Sequence, residues 1–65
     1  MPVKVKIHNV PEYAWDYKFI VYSNCNGEFW FFGAYNEVSK ALAAFTEAQG
    51  GIENTENVER TVENA

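Results

Sequence analysis

Cysteine is nearly missing from this chain. Cys25 is the only one in 65 residues, so no disulfide can form within the chain. The lack of that staple points to a reducing, cytosolic setting and leaves stability to the hydrophobic core. Histidine is equally scarce. His8 is the only one, and His8 with Cys25 falls short of the three or four protein ligands a zinc site requires, so no metal or other cofactor is expected. Positive charge is in short supply, with 5 basic against 9 acidic residues and a net charge of −4. A surface poor in Lys and Arg argues against direct binding to a phosphate backbone. No run approaches the roughly 20 apolar residues of a membrane span. The opening Met-Pro-Val-Lys-Val-Lys-Ile lacks the apolar region of a signal peptide. Gly27, Gly33, Gly50 and Gly51 match neither P-loop nor dinucleotide-binding spacing.

Aromatic surface is what the chain has in excess: 48% of residues are hydrophobic and 17% aromatic. One domain spanning residues 1–65 is expected, with a tail from residue 53 that is free to fray. So small a body buries only about 60% of its unfolded surface. Some of its rings are therefore expected to meet another molecule.

The strongest local signal lies at residues 17–35. Two runs rich in aromatic and β-branched residues flank Asn26-Gly27, the pair that suits a two-residue hairpin turn with positive φ at both positions. This turn predicts that Cys25 faces Glu28, Ser23 faces Trp30, Val21 faces Phe32 and Phe19 faces Ala34 on one side of the hairpin. The other side pairs Asn24 with Phe29, Tyr22 with Phe31, Ile20 with Gly33 and Lys18 with Tyr35. Gly33 is expected to admit a bulge or the close approach of another ring, local packing under Tyr22 or Tyr35 being preferred.

Val3, Val5 and Ile7 alternate with Lys4, Lys6 and His8, which predicts a strand over 3–8. Pro11 then directs a connection over 9–16, whose Tyr13 and Trp15 serve either as staples on a core edge or as anchors for a partner, the staple being preferred. Asn36 as N-cap, an Ala-rich stretch and Gly50 as C-terminal cap predict a helix over 37–49. Its stripe Val38, Leu42 and Phe45 is expected to pack on Phe19, Val21 and Phe32, so that Phe45→Ala would cost about 3–5 kcal/mol. The tail reads two ways. Val58, Arg60 and Val62 alternate as in a strand near 57–62, which is preferred, whereas Glu53, Glu56, Glu59 and Glu63 would share one face of a helix. The fold class expected is α+β, in the order β-β-β-α-β, with a small antiparallel sheet covered on one face by the helix.

Chemistry candidates are few. His8 lacks a nearby nucleophile or acid in sequence, Cys25 lacks an activating base, and Glu12 with Asp16 is too common a pair to mark a glycosidase. Aromatics on a sheet can stack single-stranded bases, but here the accompanying basic residues are missing. A non-enzymatic role is expected. The candidate partner-binding residues are the aromatic set Tyr22, Phe29, Phe31 and Tyr35, and the acidic set Glu53, Glu56, Glu59 and Glu63. All of the excess negative charge lies after residue 35, which suits a basic protein partner. A homodimer through the aromatic sheet face is the alternative.

The stretch Gly27-Glu-Phe-Trp-Phe-Phe-Gly-Ala-Tyr-Asn-Glu-Val-Ser-Lys-Ala-Leu-Ala-Ala-Phe45 resembles small bacteriophage-encoded accessory proteins, with the likeness extending over about residues 17–51. Such proteins include host-takeover and anti-defence inhibitors, the anti-CRISPR proteins among them. The resemblance implies a cytoplasmic inhibitor that blocks a functional surface of a host nucleic-acid-handling or defence protein. Nine acids interrupted by five bases do not suit mimicry of duplex DNA, so a simple protein-blocking contact is expected.

Overall fold

Asn26 and Gly27 take φ of 52° and 84°, and the Gly27 N–H donates to Asn24 Oδ1 at 3.1 Å. This turn joins β1 (Phe19–Cys25) to β2 (Glu28–Tyr35) in a computed structural model of the chain, which describes residues 4–59. Helix α1 (Val38–Ala48) and strand β3 (Gly51–Asn54) follow. The sheet is antiparallel in the order β2-β1-β3, with α1 packed against it. The α+β class with a hairpin and one packed helix is as the sequence implies; the strand order along the chain is β-β-α-β.

The hairpin register runs as expected from Cys25↔Glu28 to Tyr22↔Phe31 and then shifts. Beyond a bulge at Phe32, Val21 faces Gly33, Ile20 faces Ala34 and Phe19 faces Tyr35, not the Phe32, Gly33 and Ala34 that an unbroken ladder would supply. A bulge sets two residues against one and changes which face later side chains occupy. Tyr35 is thereby carried to the face of Phe19 and Val21. Its ring lies over Gly33, where a Cβ would overlap it.

Ile20 and Val21 are consecutive on the central strand, point to opposite faces, and are both fully buried. Both faces must therefore be covered. Helix α1 covers the Val21 face, but not through the expected stripe. Ala41 and Ala44 are buried against Val21, with Phe19, Tyr35, Ala48 and Ile52 around them, whereas Val38, Leu42 and Phe45 are exposed. Both stripes span about 60° of the helix and sit roughly a quarter-turn apart. The alanine stripe wins because the rings of Phe19 and Tyr35 already fill the space above the sheet, so the helix needs only small residues to close on them.

The Ile20 face is covered by a strap without regular strand structure. Residues 4–8 of the expected 3–8 strand do not form one, and Val3 lies outside the described residues. Val5 makes a single parallel bridge to Val58, and His8 makes one to Trp30. The Val5 N–H donates to Asn57 O and the Glu59 N–H to Val5 O. The His8 N–H donates to Phe29 O and the Phe31 N–H to His8 O. The segment changes partners between residues 5 and 8 as it crosses the sheet, so no continuous ladder forms. Its Ile7 is buried with Ala14, Ile20 and Val58, ringed by Trp15, Tyr22, Phe29 and Phe31. Ala14 and Trp15 belong to a 3₁₀ turn, Glu12–Asp16, inside the stretch read as a loop.

As far as residue 59 the tail departs from both readings. Its strand is Gly51–Asn54, paired antiparallel with Tyr22 to Phe19, and Thr55–Asn57 forms a 3₁₀ turn. Of residues 57–59, the described part of the expected 57–62 strand, Val58 alone makes a bridge, and residues 60–62 and Glu63 lie outside the described residues. At the helix start Glu37, not Asn36, is the N-cap, and Asn36 Oδ1 instead accepts from the Lys18 N–H at 3.0 Å. At its end Gln49, not Gly50, takes the left-handed conformation. Gly50 serves a different need: a Cβ there would collide with the Tyr22 backbone carbonyl.

Candidate functional site

The expected aromatic set does not form one outward patch. Tyr22, Phe29 and Phe31 are half-buried on the strap face, where the Tyr22 and Phe29 rings lie 4.5 Å apart and Tyr13 meets Phe31 edge-on at 6.4 Å. Tyr35 is half-buried on the opposite face because of the bulge. The acidic set is spread out as well. Glu53 is half-buried on β3 opposite Ile20, and Glu56 and Glu59 are exposed on the turn and chain that follow. Asn57 Nδ2 donates to Glu53 Oε1 at 3.5 Å. Burial, and then the charge of Glu53, raise the Tyr22 phenol above its ordinary range.

His8 is drawn into the structure more than an outward strand position implies. Its Nε2 lies 3.0 Å from Glu28 Oε1 and its ring is 4.8 Å from that of Trp30, so it fastens the strap to β2. Cys25 is free and exposed beside the turn. Among the described residues no group of three or more His, Cys, Asp or Glu is arranged to hold a metal ion, and no helix is long and apolar enough to cross a membrane.

Two open depressions flank the sheet. One, of about 460 Å³, lies between Trp15, Tyr17, Lys18 and Thr55. The other, of about 310 Å³, lies between Phe32 and Tyr35 of β2 and Lys40, Ala43, Ala44 and Glu47 of α1.

Exposed large apolar side chains lie in two regions: Tyr13, Tyr17 and Trp30 away from the helix, and Val38, Leu42, Phe45 and Phe32 on and beside α1. Val38 is 57% exposed, Leu42 50% and Phe45 37%, at the spacing i, i+4, i+7. That spacing is the reading frame of a helix that lays its apolar side into a groove of another protein. Phe32, expelled from the ladder by the bulge, is 43% exposed. Helical periodicity assigns Val38, Leu42 and Phe45 to the core, and an unbroken hairpin register assigns Phe32 there. The available clue was that α1 carries two apolar stripes, of which only one can face the sheet.

Comparison of the chain with protein families, with curated proteins and with solved structures yields no match.

Proposed function

We propose that this chain is a non-enzymatic protein-binding inhibitor that lays the Val38, Leu42 and Phe45 side of α1 into an apolar groove on a larger protein. The observation that carries this reading is the set of three large apolar side chains left outside on one helix stripe. Scattered exposed apolar residues are ordinary, but an aligned set on a regular element is the mark of a contact surface. Glu53, Glu56 and Glu59 lie away from this stripe, Glu53 on the Ile20 face of β3 and the other two on the chain that follows, and with a net charge of −4 they favour a basic target, as nucleic-acid-handling proteins are. The likeness of residues 17–51 to bacteriophage accessory proteins narrows the target to a host protein of that kind or one that serves in defence.

A homodimer through the aromatic sheet face is less well supported. The strap packs over Tyr22, Phe29 and Phe31, so self-association is better sought elsewhere.

The test is affinity capture from a bacterial lysate at low and high salt, with the native chain and a Val38→Ser/Leu42→Ser variant as baits. The native chain is expected to retain a nucleic-acid-handling or defence protein at both salts and to block its activity. The variant should bind it at least roughly ten-fold more weakly, because buried apolar anchors dominate such contacts. Binding that weakens steeply with salt would shift the contact to the glutamates. Recovery of nothing at either salt, or equal recovery by both baits, would sink the reading.

A further inference from the structure

We infer that the depression between β2 and α1 is a self-association surface, occupied by the same depression of a second copy related by a two-fold axis. It lies on the opposite side of α1 from the Val38, Leu42 and Phe45 stripe, so it stands independently of the function proposed above.

The argument begins with charge. Lys40 and Glu47 both line the depression, at its two ends, with Ala43 and Ala44 midway between them. They are seven residues apart, which is two helical turns or about 10.5 Å along the axis. An axis passing between Ala43 and Ala44 sets a second helix antiparallel to the first. Lys40 of each copy then faces Glu47 of the other, and the pairing occurs twice, as an isologous contact requires. No other target need be invoked for a surface that is its own electrostatic complement. The competing intrachain pair, Lys40 with Glu37 at 3.6 Å, is solvent-exposed at both ends and weakly held.

Apolar surface is present at the same place. Phe32 forms one wall and is 43% exposed because the bulge pushes it out of register. Ala43 offers a low floor against which the Phe32 ring of the second copy can lie. The chain's net charge of −4 opposes pairing, but Glu53 sits on β3, on the far side of β1 from this depression, and Glu56 and Glu59 continue from that strand. At ordinary salt that separation is comparable with the screening length of about 8 Å. A patch of one ring and a helix side falls in the class of small interfaces, under roughly 1,200 Å² in total, so association is expected at roughly 100 µM.

Sedimentation equilibrium of the full chain, from about 10 µM to about 1 mM, reads the outcome. The native chain is expected to approach a dimer at the upper end. Lys40→Glu and Glu47→Lys each create two like-charge contacts and should weaken association roughly ten-fold. The double variant Lys40→Glu/Glu47→Lys restores opposite charges and should return to within about two-fold of native. Phe32→Ser should weaken association by a similar ten-fold while leaving the circular dichroism spectrum unchanged. A chain that stays monomeric to 1 mM overturns the inference. So does a dimer indifferent to the single charge reversals or to Phe32→Ser, and so does a double variant that fails to recover.

Discussion

Ile20 and Val21 are neighbours on β1 and are both fully buried, yet they lie under different kinds of cover. Over Val21 sits an 11-residue helix that satisfies its own backbone hydrogen bonds and touches the sheet with alanines. Over Ile20 lies a strap that has to borrow backbone partners from Asn57, Glu59, Phe29 and Phe31, and that fills its space with Ile7, Val58 and several rings. The first cover is rigid and close. The second is irregular and thick. The difference teaches that small residues seal a sheet when the cover is a regular element, whereas an irregular cover needs bulk to exclude water.

The comparison is broken most severely by removing the side chain at its hinge. Ile20→Ala should cost about 4 kcal/mol, a large share of the roughly 3–10 kcal/mol expected of a chain this size. Urea unfolding would measure it, and a cost below about 1 kcal/mol would mean that the strap face is not a true core. Next in size is a pair of overpacking changes. Ala41→Leu pushes a rigid helix off the sheet and should cost about 2–3 kcal/mol, whereas Val58→Leu asks only that the strap shift and should cost under about 1 kcal/mol. Equal losses in thermal unfolding would erase the distinction between the two covers. Phe45→Ala comes third, at about 1–2 kcal/mol, because that side chain is already partly in water. A loss of 3–5 kcal/mol would restore the large stripe to the core.

The smallest effect concerns pH. The Tyr22 phenol is raised above its unfolded value of 10.0, by burial and then by Glu53. A group whose folded pKa is raised contributes stability that is present below the unfolded value and lost as pH climbs through the folded one. Melting temperatures recorded from pH 9 to 11 should therefore fall more steeply for the native chain than for Tyr22→Phe, which also lowers the upper end of the curve less. Parallel curves would mean that Tyr22 titrates alike in both states.

Much of this arrangement is legible in the residues. Asn26-Gly27 announces the hairpin, and the ladder follows correctly as far as Phe31. Gly33 signals that a bulge can form, but the slip itself is hidden because residues 29–32 are all aromatic and a shift by one leaves the pattern looking the same. The helix is legible to within about one residue at each end, but its orientation is not, since periodicity gives both apolar stripes equal standing and residue size favours the wrong one. The strap is half legible. Alternation at Val5 and Ile7 reports a buried side correctly, while the change of backbone partner between residues 5 and 8 leaves no local trace. Strand β3 is the least legible, as Gly51-Ile-Glu-Asn54 carries one large apolar residue and borrows its pairing from β1. The candidate contact surface shares the helix's fate: an excess of apolar residues is plain in the composition, but which of them stay outside depends on how the helix is turned.

The bridge between Val5 and Val58 has a bearing on synthesis. It joins positions 53 residues apart, almost the widest separation that the described chain offers. As the chain leaves the ribosome, the hairpin and helix can form with Ile7 and Ala14 already available to cover Ile20, and that cover is completed only when Val58 arrives. Closing so long a loop carries an entropy cost that shorter contacts avoid, so this lid falls into place last on the way in and is the first part to lift on the way out.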